Sequence, residues 1–164
     1  MFREDENYAL FLRLYGKYID PIAETFAWVL LGNHFHLLIK DTEKDTEKPF
    51  YQYFSNLFNA YTKSFNKRYE RYGPLFVSPF KRIEIKSNKY FKNLIQYIHN
   101  NPVYHGFCEC LQDYPWSSYG SVISVKPTKL ERDKVLGIFD TKGNFLDFHK
   151  RKHELGPIKN IIIE

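Results

Sequence analysis

Apolar residues recur at three- and four-residue spacing along two long stretches of this chain. Over residues 49–72 they fall at Phe50, Tyr53, Phe54, Leu57, Phe58, Tyr61 and Phe65, which predicts an amphipathic helix. Pro49 suits its first turn, and Gly73-Pro74 ends it. Residues 88–101 repeat the pattern with Phe91, Leu94, Ile95 and Ile98, and Pro102 acts as the stop. A shorter helix over 5–18 carries Tyr8, Phe11, Leu12 and Tyr15, with Asp5 available as a cap. Between the first two helices the period changes. Residues 24–31, "ETFAWVLL", predict a buried strand, Gly32-Asn33 a tight turn, and residues 34–40, "HFHLLIK", the returning strand. Residues 75–86, "LFVSPFKRIEIK", predict one or two strands interrupted by Pro79. "DTEKDTEK" and "DYPWSSYGS" are expected as loops, and residues 129–139 and 144–153 as short charged helices. Helices interspersed with hairpins give an α+β chain with an antiparallel sheet. The expected organisation is a main domain over 1–125 and a C-terminal helical extension over 126–164.

Composition narrows the class. Hydrophobic residues make up 43%, enough for a core, within a length of 164 residues that fits one domain with a small appendage. The aromatic share of 18% is high, and aromatic rings serve a core or stack on unpaired bases. Lys and Arg number 24 against 19 Asp and Glu, a net +5, which leans toward a polyanionic partner. Two cysteines, Cys108 and Cys110, are too few for a disulfide scaffold and are expected as reduced thiols. No apolar run approaches the roughly 20 residues of a membrane span, and no leader opens the chain. The expectation is a soluble cytoplasmic protein.

Candidate chemistry begins at "GNHFHLLIK", residues 32–40, where His34 and His36 flank Phe35. On a strand, residues two apart project from one face, so both imidazoles are expected to point the same way. Such a pair can fill a core or share a divalent ion, and a metal site needs a third ligand. The third helix offers one in "YIHNN", Tyr97 to Asn101. Tyr97 is expected off the apolar stripe, with Asn101 one turn on along the same side. An asparagine carbonyl oxygen suits Mg²⁺ or Mn²⁺. A tyrosine beside such an ion can attack phosphorus.

These residues resemble a known family. "GNHFHLLIK" looks like the HUH signature, two histidines around one hydrophobic residue, and "YIHNNPV" looks like the catalytic-tyrosine helix of single-tyrosine HUH transposases. With "AYTKSFNKRYERYGPLF", "FKNLIQYIHNNPVYHGF" and "DYPWSSY", the chain over roughly residues 5–150 resembles the REP-associated tyrosine transposase branch. The resemblance implies a ferredoxin-like antiparallel sheet with helices packed on it. It implies cleavage of single-stranded DNA beside a hairpin, dependent on Mg²⁺ or Mn²⁺, through a 5′-phosphotyrosine link and a free 3′-OH. Carried over, Tyr97 matches the nucleophile, His34 and His36 the HUH ligands, and Asn101 the third-ligand position. The expected partner is single-stranded or hairpin DNA, bound by a monomer or a homodimer. Members of the family usually begin with an additional strand before the first helix, with a motif like "YHVTQR". Here Met1-Phe2-Arg3-Glu4 leads almost directly into the helix, so the resemblance implies a sheet short of that strand. Asn101 also precedes proline, which biases it away from helical geometry.

Other positions carry weaker signals. Lys63, Lys67, Arg68 and Arg71 form the basic far side of the second helix, either a solvated face or a phosphate-tracking stripe. Lys81, Arg82 and Lys86 are exposed strand charges or phosphate contacts. His99 is expected to point away from Tyr97, Trp116 to anchor a loop or stack on a base, and His149 and His153 to lie on a solvated helix face or pair on a metal. Three functions fit: a DNA-nicking and rejoining enzyme, an inactive or domesticated protein that binds a hairpin without cutting, and a metal-dependent hydrolase unrelated to DNA.

Overall fold

Helix α1 (Asp5–Tyr18) forms as its spacing predicts, with Asp5 and Glu6 in the first turn and Lys17 in the last, matching the helix dipole. It belongs to a computed structural model that describes residues 1–42, 47–77, 79–85 and 87–151. The chain forms two compact units. One holds residues 1–24, 32–34 and 40–80; the other holds 25–31, 35–39 and 81 onward. The expected boundary between residues 125 and 126 falls inside the second unit.

In the first unit α1 packs on α2 (Phe50–Arg68). The interface is aromatic: Phe2 stands 5.4 Å from Phe11 and 5.6 Å from Tyr61, ring centre to ring centre. Residues 1–4 are pinned rather than merely leading into α1. Phe2 N–H donates to Gly32 O at 2.9 Å, Tyr61 Oη donates to Met1 O at 3.1 Å, and the Arg3 guanidinium lies 4.7 Å over the Tyr69 ring. Helix α2 ends at Arg68, before the expected residue 72, because Glu70 takes a left-handed φ of 49°. No strand forms over 75–86 among the described residues. The apolar side chains there are engaged elsewhere: Phe76 lies 4.6 Å from Phe58, and Phe80 lies 5.5 Å from Phe54 and 5.4 Å from Phe58. Pro79 also removes a ladder donor.

The hairpin comprises β1 (Ala23–Leu30) and β2 (Phe35–Asp41), an antiparallel pair. Phe26, Ala27, Val29, Leu31 and Leu38 share one core with Leu94, Ile95, Tyr97 and Ile98 of α3 (Asn88–Tyr104). The expected "DYPWSSYGS" loop takes on more structure than a loop. Leu30 N–H donates to Trp116 O and Ser118 N–H to Trp28 O, both at 2.9 Å, an antiparallel bridge centred on Val29 and Ser117. Tyr114 Oη adds a bond to Leu30 O at 2.7 Å. These contacts satisfy part of the second edge of β1. Helices α4 (Tyr119–Ile123), α5 (Arg132–Ile138) and α6 (Lys142–Lys150) follow. Val122, Val135, Phe139 and Phe145 from these last segments enter the same core. The chain is therefore α+β. Among the described residues, no helix is long and apolar enough to cross a membrane.

Candidate active site

Helix α3 is buried from Leu94 through Pro102. Tyr97, expected off the apolar stripe, is a core residue at 5% exposure. It occupies a place in the hydrophobic cluster because α3 is covered on several sides rather than along one stripe. Asn101 is fully buried and helical despite preceding proline. Pro102 is no stop, since the helix passes through it and ends only after Tyr104. The terminator is Gly106 at φ 70°, with Gly106 N–H donating to Val103 O at 3.1 Å and Phe107 N–H to Pro102 O at 2.8 Å. That pair of bonds is the Schellman arrangement, which glycine accommodates at no steric cost.

The structure brings His36 and Tyr97 together. Their rings meet edge to face at 5.5 Å and 67°. Asn101 lies one turn beyond Tyr97 on the same side of α3. His36 Nε2, Tyr97 Oη and Asn101 Nδ2 are all shielded from solvent. His34 is placed differently from the expectation, because β2 begins at Phe35 and leaves His34 in the turn before it. The alternation rule for strands therefore covers His36 and not His34. The His34 Nδ1 meets Asn33 Oδ1 at 2.8 Å. An amide oxygen only accepts, so in the neutral ring Nδ1 carries the proton and the lone pair falls on Nε2. Among the described residues, no three His, Cys, Asp or Glu side chains gather to hold a metal. The expected set has only two histidines and draws its third donor from an amide.

Two histidines assigned elsewhere by the sequence form a buried chain. His99 Nδ1 meets His149 Nε2 at 3.0 Å, His99 Nε2 meets Ser118 Oγ at 2.8 Å, and His149 Nδ1 meets Phe145 O at 2.8 Å. His149 is thus a core group and not part of a solvated face, because α6 turns it inward beside Phe145. His153 and Lys86 lie outside the described residues. Burial, and then the neighbouring His149, hold the His99 imidazole well below its ordinary pKa. No local pattern marks Ser118 as the third member, since its partners lie 19 and 90 residues away.

The basic residues divide. Lys63 and Lys67 are exposed on α2, as are Lys81 and Arg82 in the irregular segment beyond it. Arg68 Nε instead donates to Glu4 Oε1 at 2.6 Å, and Tyr69 Oη donates to the same oxygen. The Arg68 bond, and then that from Tyr69, hold the Glu4 carboxyl below the usual carboxylate range. Arg71 donates to Asn66 Oδ1 at 2.7 Å and to Pro74 O at 3.2 Å. One signal readable in the sequence went unused: neither α2 nor α3 contains an Asp or Glu.

No family model matches this chain. A protein of Haemophilus influenzae named as a REP-associated tyrosine transposase is 31% identical, and the match covers 58% of this chain. A solved REP-associated tyrosine transposase bound to a REP hairpin shares the fold at a TM-score of 0.54 and 21% identity, over 75% of this chain and 70% of that one. The chain is similar to REP-associated tyrosine transposases. The similarity to the Haemophilus transposase spans 58% of that protein's length. The solved transposase carries the comparison of folds.

Proposed function

We propose that the chain is a DNA-processing protein of the transposase kind, which binds single-stranded or hairpin DNA and cuts one strand with Tyr97. The observation that supports this most directly is the His36 imidazole against the Tyr97 ring, with Asn101 one turn further along α3. The similarity to a REP-associated tyrosine transposase supports it independently. In the proposed reaction the Tyr97 oxygen bonds to phosphorus as it loses its proton. The bond from phosphorus to the 3′ oxygen breaks, and that oxygen takes up a proton as a free hydroxyl. The 5′ side stays on Tyr97 as a phosphotyrosine, so attack by a 3′-hydroxyl reverses the step without an external energy source. His34, His36 and Asn101 would hold a Mg²⁺ or Mn²⁺ ion, whose chemistry there is to polarise the phosphate and offset charge on the leaving oxygen. The donor set suits that role, with imidazole nitrogens and an amide oxygen.

A second reading is a protein that binds the hairpin without cutting. The burial of Tyr97 Oη favours it, because a hidden hydroxyl must be uncovered before it reaches a phosphate. One experiment separates the two. Wild type and Tyr97→Phe are incubated with a labelled hairpin oligonucleotide and Mn²⁺, denatured, and run for a shifted protein band. The cutting enzyme gives an adduct that Tyr97→Phe abolishes while DNA binding survives. An adduct in the variant rejects Tyr97 as nucleophile, and binding with no adduct in wild type leaves the second reading.

A further inference from the structure

Helix α3 carries a third functional-looking side chain on the line of Tyr97 and Asn101. Tyr104 stands seven residues past Tyr97, two turns along the same face. Its ring centre lies 6.4 Å from that of Tyr97 at an angle of 33°. Helical side chains lean back toward the N-terminus, which brings Tyr104 over the preceding turns. Tyr97 is 5% exposed and Tyr104 is 46% exposed, so the next ring out on this line faces solvent. Three residues later Phe107 is 49% exposed. Its backbone is fixed by the Schellman bonds at the helix end, and its ring sits 6.1 Å from Tyr114, whose hydroxyl is tied to β1.

An exposed ring packed against the candidate nucleophile, with a second exposed ring just past the helix end, suits one kind of occupant on the DNA-processing reading. A nucleobase offers a flat π-face to such a ring, and an exposed tyrosine can stack on it whatever the base. We propose that Tyr104 is a stacking platform for an unpaired nucleobase adjacent to the phosphodiester that Tyr97 attacks. The inference rests on the DNA-processing reading and adds where the strand is gripped. Stacking uses the ring face and not the hydroxyl. Burial, and then Tyr97, push the Tyr104 phenol up to about 12.

The test uses a DNA hairpin with single-stranded flanks, carrying 2-aminopurine at one flank position at a time. The parent protein is Tyr97→Phe, so that no covalent product accumulates. Fluorescence quenching is expected at a particular flank position and should persist when Tyr104→Phe is added. Tyr104→Ala and Tyr104→Leu should both lose the quenching and weaken binding about ten-fold. Leucine keeps apolar cover over Tyr97, so its loss of quenching cannot be blamed on an opened core. Tyr90→Ala, at the other end of α3, should change neither reading. Quenching and affinity within about two-fold of the parent in both the alanine and leucine variants would overturn the platform and leave hairpin binding standing. A parent protein that binds no hairpin at all would overturn the platform and the DNA-processing reading together.

Discussion

The buried chain through His99 admits one arrangement of protons when both imidazoles are neutral. Phe145 O only accepts, so His149 Nδ1 donates to it and His149 Nε2 accepts from His99 Nδ1. His99 Nε2 then accepts from the Ser118 hydroxyl, whose oxygen accepts from Trp28 N–H at 2.9 Å. Every group is used once, and a proton added to His99 Nε2 would meet an oxygen whose own hydrogen must turn away. This gives stability a defined pH dependence. His99 has a folded-state pKa below the unfolded value of 6.5. Above that pH the imidazole is neutral in both states and contributes no slope. As the pH falls below it, the unfolded chain takes up a proton that the folded chain resists, so stability falls with falling pH. Urea unfolding measured from about pH 7.5 to about pH 5.5 should show stability falling, by roughly 1 kcal/mol at most from this residue. His99→Gln should be less stable at neutral pH and should flatten that loss; an unchanged slope would place the acid sensitivity elsewhere.

At the scale of elements, local pattern and long-range pairing were unequally legible. Helix α1 and the hairpin lie within a residue or two of expectation because apolar spacing and the Gly32-Asn33 turn are local signals. The pairing of Trp116–Ser118 with β1 was not legible, since its hydrogen bonds join residues more than 80 apart in sequence. The alternating segment after Gly73 misled because Phe76 and Phe80 pack on α2 rather than on a sheet face. Likewise Pro102 resembled a stop, but only one helical hydrogen bond is lost near the end of α3, where termination comes from Gly106. Gly106 has open space around a would-be Cβ, so substitution costs backbone conformation and not a clash. Gly106→Ala should therefore destabilise the protein by about 1–2 kcal/mol, the ordinary penalty for a left-handed residue with a side chain. Thermal or urea unfolding measures it, and a neutral result would mean that α3 ends by another route.

For the whole molecule the proposed function asks which charges would meet DNA. Spacing and the family resemblance proposed His36, Tyr97 and Asn101, and the sequence marked basic residues on α2 without showing which were already engaged. The net charge of +5 is modest, but α2 contributes Lys63, Lys67 and Arg68 and has no acid of its own. Arg68 is bound to Glu4, and Arg71 to Asn66 and Pro74. Lys63 and Lys67 are exposed on the same helix. A phosphate contact releases counterions, and each one contributes roughly 0.7–0.9 to the slope of log affinity against log salt, the lower value for single strands. If the two lysines track the backbone, Lys63→Gln with Lys67→Gln should flatten that slope by about 1.5 on hairpin DNA and weaken binding alike across sequences. Arg68→Gln should leave the slope nearly unchanged, because its guanidinium already serves Glu4. Hairpin DNA should also outbind a blunt duplex at each salt concentration, since exposed rings gain stacking only from unpaired bases. Salt titrations of wild type and these variants by fluorescence anisotropy decide the matter. A slope that drops for Arg68→Gln and not for the lysine pair would move the phosphate path off the exposed lysines of α2 and onto the end of the helix.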